Sequence, residues 1–118
     1  MKPTIEQVKQ IREQTVVSER RQARELKVRR LHTYVHHNGK YAAMAEFGCE
    51  TDFVANSDVF KNMMNDICMQ VAVTERDCEV EDKPFIKDPT MTVKEVLATV
   101  STATGERGEL LWYKGRQV

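Results

Sequence analysis

The stretch that decides the fold is residues 36–49, HHNGKYAAMAEFGC. Its Asn38-Gly39 pair predicts a β-hairpin, because a type I′ turn needs positive φ at both central residues and these two residue types accept it best. Glycine at position 48 indicates a bulge or a close approach of another part of the backbone. The segments 28–37 and 40–49 are predicted to pair as antiparallel strands. In the second segment alternate residues are apolar, as in a strand with one buried face: Tyr41, Ala43, Ala45, Phe47 and Cys49.

Two helices are predicted after the hairpin. The first runs from about Ser57 to Val73, where apolar residues recur every three or four positions and form one stripe. The second starts at Thr92, where Glu95 three residues on completes a capping box, and ends at Gly105. Both helices have a single apolar face and are therefore predicted to pack on the sheet.

An acidic, proline-containing stretch, 74–90, separates the two helices and is predicted to be a linker. Residues 110–113, Leu-Leu-Trp-Tyr, predict a last strand that joins the hairpin. The fold class is therefore α+β: a three-stranded antiparallel sheet with helices packed on one face, plus an N-terminal helical arm.

The N-terminal arm is distinguished by charge. Residues 1–40 contain ten Lys/Arg and four Asp/Glu, whereas residues 41–99 contain five and twelve, although the net charge is zero. Capping signals predict a helix from about Thr4, and a nearly all-polar helix spans 18–27. We therefore divide the chain into a basic helical arm, 1–27, and a core domain, 28–118. The basic side chains could contact RNA phosphates, although no aromatic residue lies among them: Arg20, Arg21, Arg24, Lys27, Arg29 and Arg30.

Several classes of protein and of site are disfavoured by composition. No apolar run reaches the roughly 20 residues of a membrane span, so we expect no membrane association and a cytosolic location. The three cysteines are too few for a disulfide framework. His32, His36 and His37 suggest a metal site, but no fourth ligand has suitable spacing. Cys49 beside an acidic residue suggests a thiol nucleophile, although a small buried cysteine on a strand is commoner.

Three separated motifs resemble the elongation factor Ts family. They are residues 36–40 with 49–55 (CETDFVA), residues 84–89 (PFIKDP) with 92–97 (TVKEVL), and Gly105-Glu106. The resemblance implies the family's core fold, also called its dimerisation domain. It also implies that Thr51, Asp52, Phe53 and Val54 contact elongation factor Tu.

In the family, the Asp-Phe pair enters beside the nucleotide site of elongation factor Tu, a GTPase, and disturbs its Mg²⁺. The resemblance thus implies a guanine-nucleotide exchange factor that performs no covalent chemistry and holds no metal or cofactor. Gly105 would be a secondary contact with the same partner. From residue types alone, however, Phe53 could equally be a hydrophobic staple and Asp52 a turn cap.

The chain also departs from the family pattern. Residues 8–15 resemble the start of the family's N-terminal module, but the rest of that module, an insertion before residues 84–89 and a second core subdomain have no counterpart. A compact phage-encoded homologue would fit this reduction. Two functions therefore stay open: exchange on elongation factor Tu, or binding and recruitment of Tu without efficient exchange. A homodimer is also expected, since a single small core exposes surface that longer members cover.

Overall fold

The computed structural model describes residues 26–74 and 79–118. Helices predicted from about Thr4 and over 18–27 lie outside these residues, apart from the last two positions, and the division at residue 27 stays a prediction. The predicted fold class is confirmed: three antiparallel strands form a sheet in the order β1-β2-β5. The elements are β1 (Val28–Val35), β2 (Tyr41–Cys49), α1 (Asp52–Ala55), α2 (Asp58–Val73), a 3-10 helix (Val80–Asp82), β3 (Pro84–Phe85), β4 (Asp88–Thr92), α3 (Val93–Thr104) and β5 (Glu109–Gln117).

The hairpin lies where it is predicted, but the prediction of a type I′ turn is wrong. Gly39 has φ of 71°, whereas no non-glycine residue in the described ranges has positive φ, so Asn38 does not adopt the required conformation. The loop is closed instead by a bond from Gly39 N to His36 O (2.8 Å) and one from His36 N to Tyr41 O (2.8 Å). Asn38 contributes through its side chain, whose Oδ1 accepts from Lys40 N at 2.9 Å.

Helix α2 covers the inner face of the sheet. The face of β2 that is predicted to be buried does face α2, and the rings of Phe47 and Phe60 meet edge to face with centroids 6.4 Å apart. Such a pair contributes about 0.5–1.5 kcal/mol beyond its buried area. Ser57 is the N-cap of α2, as the predicted start requires. The predicted apolar stripe is fully buried: Phe60, Met63, Met64, Ile67, Cys68 and Val71.

The predicted linker 74–90 is more structured than expected. Of its described part, Val80 is completely buried, and β3 pairs with β4 to form a small second sheet. Gln70 on α2 holds this sheet, because its Nε2 donates to Pro84 O at 2.8 Å and its Oε1 accepts from Ile86 N at 2.9 Å. Local sequence cannot indicate such pairing, since the partner lies 14–16 residues away along the chain.

The ends of α3 agree with the sequence. Thr92 and Glu95 form the capping box, and Gly105 ends the helix in the left-handed conformation with φ of 73°. Strand β5 then pairs with β2 over a longer range than the predicted 110–113. A register shift lies between Glu46 and Phe47, next to Gly48. The register shift agrees with the predicted bulge, whereas the atoms nearest a Cβ on Gly48 are side-chain atoms, Leu111 Cδ1 and Leu26 Cδ1 at 3.0 Å, and not backbone.

The outer face of the sheet carries exposed apolar side chains, and we call this set the outer sheet face: Leu31, Val35, Met44, Leu111 and Trp112. Leu31 is 67% exposed and Trp112 is 46% exposed. None of the helices in the described part of the chain has the length and apolar character that a membrane crossing requires.

Candidate functional site

The candidate site is the one-turn helix α1, which follows β2 directly. Thr51 is its N-cap and accepts from Val54 N through Oγ1 at 3.4 Å. Val54 and Ala55 are buried in the core and anchor the turn. Four residues cannot form a stable helix alone, because nucleation costs more than one turn returns. The position of α1 therefore depends on its cap and on these two buried side chains.

Phe53 projects from α1 into solvent and is 86% exposed. The sequence contains four phenylalanines, and the other three, Phe47, Phe60 and Phe85, are all buried. A hydrophobic staple would be packed against the helix, so the staple interpretation of Phe53 is wrong. Burial of a phenylalanine side chain stabilises a fold by about 1.5–3 kcal/mol, and this contribution is absent at Phe53.

Asp52 forms an ion pair with Arg30, one of the basic residues that could contact RNA according to the sequence. Arg30 Nη2 on β1 lies 2.9 Å from Asp52 Oδ1. Asp52 is also the first residue of α1, where a negative charge favours the helix dipole. The pair is largely solvent-exposed, so its contribution to stability is about 0–1 kcal/mol. Its main effect is to orient the carboxylate beside Phe53.

The second predicted contact, Gly105, lies close to residues 51–53 because the next residue, Glu106, is hydrogen-bonded to Thr51. Glu106 Oε1 accepts from Thr51 N at 3.0 Å, and Glu106 Oε2 accepts from Thr51 Oγ1 at 2.6 Å. Of the predicted site residues, Thr51, Asp52 and Phe53 are thus exposed together near Gly105, while the Val54 side chain is buried. Sequence reasoning missed Arg30 and Glu106 as neighbours of the site; the Gly105-Glu106 motif was the one signal for the latter.

The thiol-nucleophile interpretation of Cys49 is contradicted by its surroundings. Cys49 is buried, and its Sγ–H donates to Thr51 O at 3.4 Å. Burial first, and the Glu106 carboxylate second, raise the pKa of the Cys49 thiol above its ordinary value. The reactive thiolate is therefore disfavoured. Cys68 is similar, since burial raises the pKa of its thiol to about 11.

The histidines have separate partners. His32 Nε2 shares a hydrogen bond with Asn65 Oδ1 at 3.2 Å, and His36 Nδ1 shares one with Tyr34 Oη at 2.8 Å. The rings of His36 and His37 lie 4.1 Å apart at the hairpin loop. Within residues 26–74 and 79–118, no group of three His, Cys, Asp or Glu side chains is placed to hold a metal ion.

No family model matches the chain, but it is similar to proteins named Elongation factor Ts. One from Gloeothece citriformis is 27% identical over 124 residues, covering 64% of this chain and 43% of that protein. One from Nostoc sp. is 32% identical over 74 residues, covering 63% and 24%. One from Maridesulfovibrio salexigens is 51% identical over 53 residues, covering 44% and 26%. The Gloeothece alignment has more positions than this 118-residue chain, so that protein has residues without a counterpart here. This chain spans less than half the length of each of these relatives, and over that part it resembles Elongation factor Ts proteins.

Proposed function

We propose that this chain is a translation elongation factor that binds elongation factor Tu and accelerates the release of GDP from it. The contact is made by Asp52 and Phe53 on α1, with Gly105 as a second contact. The protein names of the relatives support the elongation-factor role. The exchange role rests on the geometry of α1 together with the CETDFVA motif, and it requires no covalent chemistry by this chain.

The observation that carries the proposal is the exposure of Phe53 on an anchored helical turn. Large aromatic side chains are frequent energetic centres of protein interfaces, because they bury much area with few rotatable bonds. Phe53 is 86% exposed while its neighbours Val54 and Ala55 are buried. The ring is therefore presented to solvent without loosening the core, which suits a side chain that inserts into a partner.

The proposed mechanism is a coupling between two binding events. Phe53 inserts between helices of the GTPase beside its nucleotide site, and Asp52 binds polar groups at the same edge. Insertion displaces the Mg²⁺ that the GTPase holds, and this ion neutralises the phosphate charge of GDP. GDP then binds more weakly, and by reciprocity GDP weakens the binding of the factor. In the free factor Arg30 orients Asp52, since Arg30 Nη2 lies 2.9 Å from Asp52 Oδ1.

A stopped-flow assay of GDP release from elongation factor Tu tests this proposal. We expect the wild-type chain to accelerate release and Phe53→Ala to abolish the acceleration with an unchanged circular dichroism spectrum. The control is Ile86→Ala, which also truncates an exposed apolar side chain, 43% exposed, but near the opposite end of α2. Full activity of folded Phe53→Ala, or equal loss in both variants, would contradict the proposed contact.

A binding or recruitment role is the second candidate, because an exposed Phe53 on an anchored turn suits a partner contact whether or not that contact changes GDP release. Under this alternative the chain binds nucleotide-free Tu, measured by calorimetry, but does not change the rate of GDP release. Binding without acceleration in the same protein preparation selects recruitment, and acceleration selects exchange.

A homodimer through the outer sheet face is a separate proposal. Contiguous exposed apolar surface commonly marks an interface, and this face exposes side chains from all three strands, including Leu31, Met44 and Trp112. Sedimentation at micromolar concentration should show a dimer that Met44→Lys converts to a monomer. A wild-type monomer at that concentration would exclude this interface.

The proposed role places the chain in a bacterial-type cytosol, where elongation factor Tu acts. Weak RNA contact through the basic arm 1–27 is a lesser proposal, supported by its charge alone. Electrostatic binding to phosphates weakens steeply with salt. A mobility shift that disappears at moderate salt would mark non-specific RNA binding, and no shift at low salt would exclude it.

A further inference from the structure

Two carboxylates join the loop before α1 to the loop after α3, and we call this arrangement the carboxylate clasp. Glu106 accepts three hydrogen bonds: from Glu50 N (3.2 Å) and Thr51 N (3.0 Å) at Oε1, and from Thr51 Oγ1 (2.6 Å) at Oε2. In the reverse direction, Arg107 N donates to Glu50 Oε2 at 2.5 Å. Each loop thus supplies a carboxylate to backbone amides of the other, although they lie 55–57 residues apart in sequence.

The clasp acts on the residue that sets the direction of α1. The Thr51 hydroxyl donates its single proton to Glu106 and accepts from Val54 N with a lone pair. Hydrogen bonds to a charged acceptor are about twice as strong as those between neutral groups. Glu106 therefore fixes the orientation of the N-cap hydroxyl, and the N-cap fixes the first turn, which includes Phe53.

The turn is also held at its other end, where Val54 O accepts from Ser57 N at 3.0 Å and from Ser57 Oγ at 2.6 Å. The helix comprises four residues, Asp52–Ala55, so its internal hydrogen bonds cannot hold it in one orientation. Val54 and Ala55 anchor one side of the turn in the core. The exposed pair between Arg30 and Asp52 constrains the other side, but such pairs contribute little. The bonds between Glu106 and Thr51 are thus the ones that hold the start of the turn, two residues before Phe53.

We propose that Glu106 is a positioning residue for Phe53: its carboxylate holds Thr51 so that the ring meets the partner in the orientation required for insertion. This inference rests on the proposed exchange function. Glu106 acts through Thr51 and does not itself bind nucleotide. Misplacement of an inserting group by about 1 Å can lower a rate up to a hundredfold. Loss of the clasp should therefore lower the maximal rate of GDP release. The concentration of factor that gives half of that rate should change less.

The test compares Glu106→Ala and Glu106→Gln with a matched control, Glu95→Ala. Glu95 also accepts from a threonine, at Thr92 N (3.3 Å) and Thr92 Oγ1 (3.1 Å), but it lies at the opposite end of α3. Glu106→Ala and Glu95→Ala should shift the melting temperature by similar amounts, roughly 2–8 °C. We expect Glu106→Ala to reduce the maximal release rate about tenfold or more, and Glu95→Ala to leave it unchanged.

Glu106→Gln separates geometry from charge. The glutamine oxygen can still accept from Glu50 N and Thr51 N, whereas its amide group cannot accept the Thr51 hydroxyl proton. We therefore expect its maximal rate to lie between those of the wild type and Glu106→Ala, and we expect it to stay folded if Glu106→Ala does not. Thr51→Val should reduce the maximal rate as Glu106→Ala does, whereas Thr51→Ser, which keeps the hydroxyl, should have the wild-type rate. The double variant Thr51→Val with Glu106→Ala should be no slower than either single variant, because both changes remove the same interaction.

Wild-type release by folded Glu106→Ala, or equal loss in Glu106→Ala and Glu95→Ala, would overturn the positioning role. The wild-type chain and Phe53→Ala distinguish this failure from failure of the proposed function. If the wild type does not accelerate GDP release, the exchange function is wrong, and if Phe53→Ala accelerates release as the wild type does, the contact through Phe53 is wrong. In either case amide hydrogen exchange decides the clasp. Faster exchange at Thr51 and Val54 in Glu106→Ala, with unchanged protection in α2, supports the clasp, and unchanged exchange at both amides overturns it.

Discussion

Two successive helix starts in this chain share one pattern and place a phenylalanine in opposite environments. They are Thr51-Asp52-Phe53-Val54 and Ser57-Asp58-Val59-Phe60. In each, a hydroxyl N-cap accepts from the amide of the third helical residue at 3.4 Å, and an aspartate occupies the first position.

The second helical position is exposed in both starts and the third is buried. Phe53 occupies the second position of α1 and is 86% exposed, whereas Phe60 occupies the third position of α2 and is 1% exposed. The same residue type is thus a surface side chain in one turn and part of the core in the next. The comparison shows that the position within the capped turn, and not hydrophobicity, decides which phenylalanine is available to a partner.

The largest expected effect concerns the two phenylalanines themselves. Phe60→Ala should lower the free energy of unfolding by about 3–5 kcal/mol, because it leaves a cavity beneath Phe47. Phe53→Ala should change it by less than about 0.5 kcal/mol, because the ring is in solvent. Urea denaturation followed by circular dichroism measures both values. A loss above about 2 kcal/mol in Phe53→Ala would contradict the contrast between the two turns.

The caps provide the second test. Thr51→Ala and Ser57→Ala should each lower the free energy of unfolding by about 1 kcal/mol, because each removes the side-chain acceptor of a helix start. Thr51→Ala should slow GDP release more than Ser57→Ala, since Thr51 binds Glu106, whereas the Ser57 hydroxyl donates to Val54 O at the end of α1 (2.6 Å). Equal slowing in both variants would show that the bond between Thr51 and Glu106 has no separate effect on exchange.

The ion pairs provide a smaller test. Arg30→Gln removes the pair with Asp52 on α1, and Lys87→Gln removes the 2.8 Å pair with Asp66 on α2. Each should cost about 0.2–1 kcal/mol at low salt and less at high salt. Double-mutant cycles with Asp52→Asn and Asp66→Asn measure the two coupling energies. A coupling near zero for Arg30 with slowed GDP release would show that Arg30 serves the partner contact rather than the fold.

The smallest expected effect lies away from both helix starts, at Glu81. Burial, followed by the charges of Glu109 and Glu79, raises the pKa of the Glu81 carboxyl above 4.5, while Lys94 opposes the rise. The folded state therefore binds this proton more tightly than the unfolded chain, and stability falls as pH rises from about 4.5 through the raised value. Glu81→Gln should remove this fall and slightly increase stability at neutral pH, as measured by urea denaturation across pH 4–7. An unchanged pH profile would assign the pH response to other groups.

Features that depend on neighbouring residues were predictable from the sequence. The alternating face of β2 and the apolar stripe of α2 follow from strand and helix periodicity, and both are buried as predicted. The capping box at Thr92 and the end of α3 at Gly105 also agree. The type I′ turn at Asn38 was wrong, because the observed loop closes through His36 and Tyr41, and the backbone conformation of a loop depends on its length.

Features that depend on distant residues were not predictable. The fixed structure within 79–92 relies on Gln70, and the start of α1 is held by Glu106 and paired with Arg30. The contacts of these polar residues leave no periodic signal: Gln70 lies within a predicted helix, Arg30 belongs to the basic set, and Glu106 is marked by its motif alone. Hydrogen bonds across 14–55 residues appear when strands and helices pack, not before.

By itself, the sequence determined that a hairpin, two amphipathic helices and a last strand form one α+β core, since these elements arise from local periodicity and capping. It also marked residues 51–54 as a motif, but it left Phe53 equally compatible with a core role. Only the tertiary structure decided that Phe53 faces solvent, that Val54 beside it is buried, and that Thr51 is held by Glu106, which lies 55 residues further along the chain. The physical reason is that exposure is set by which face of a turn meets the core, and that face is defined by contacts between distant segments.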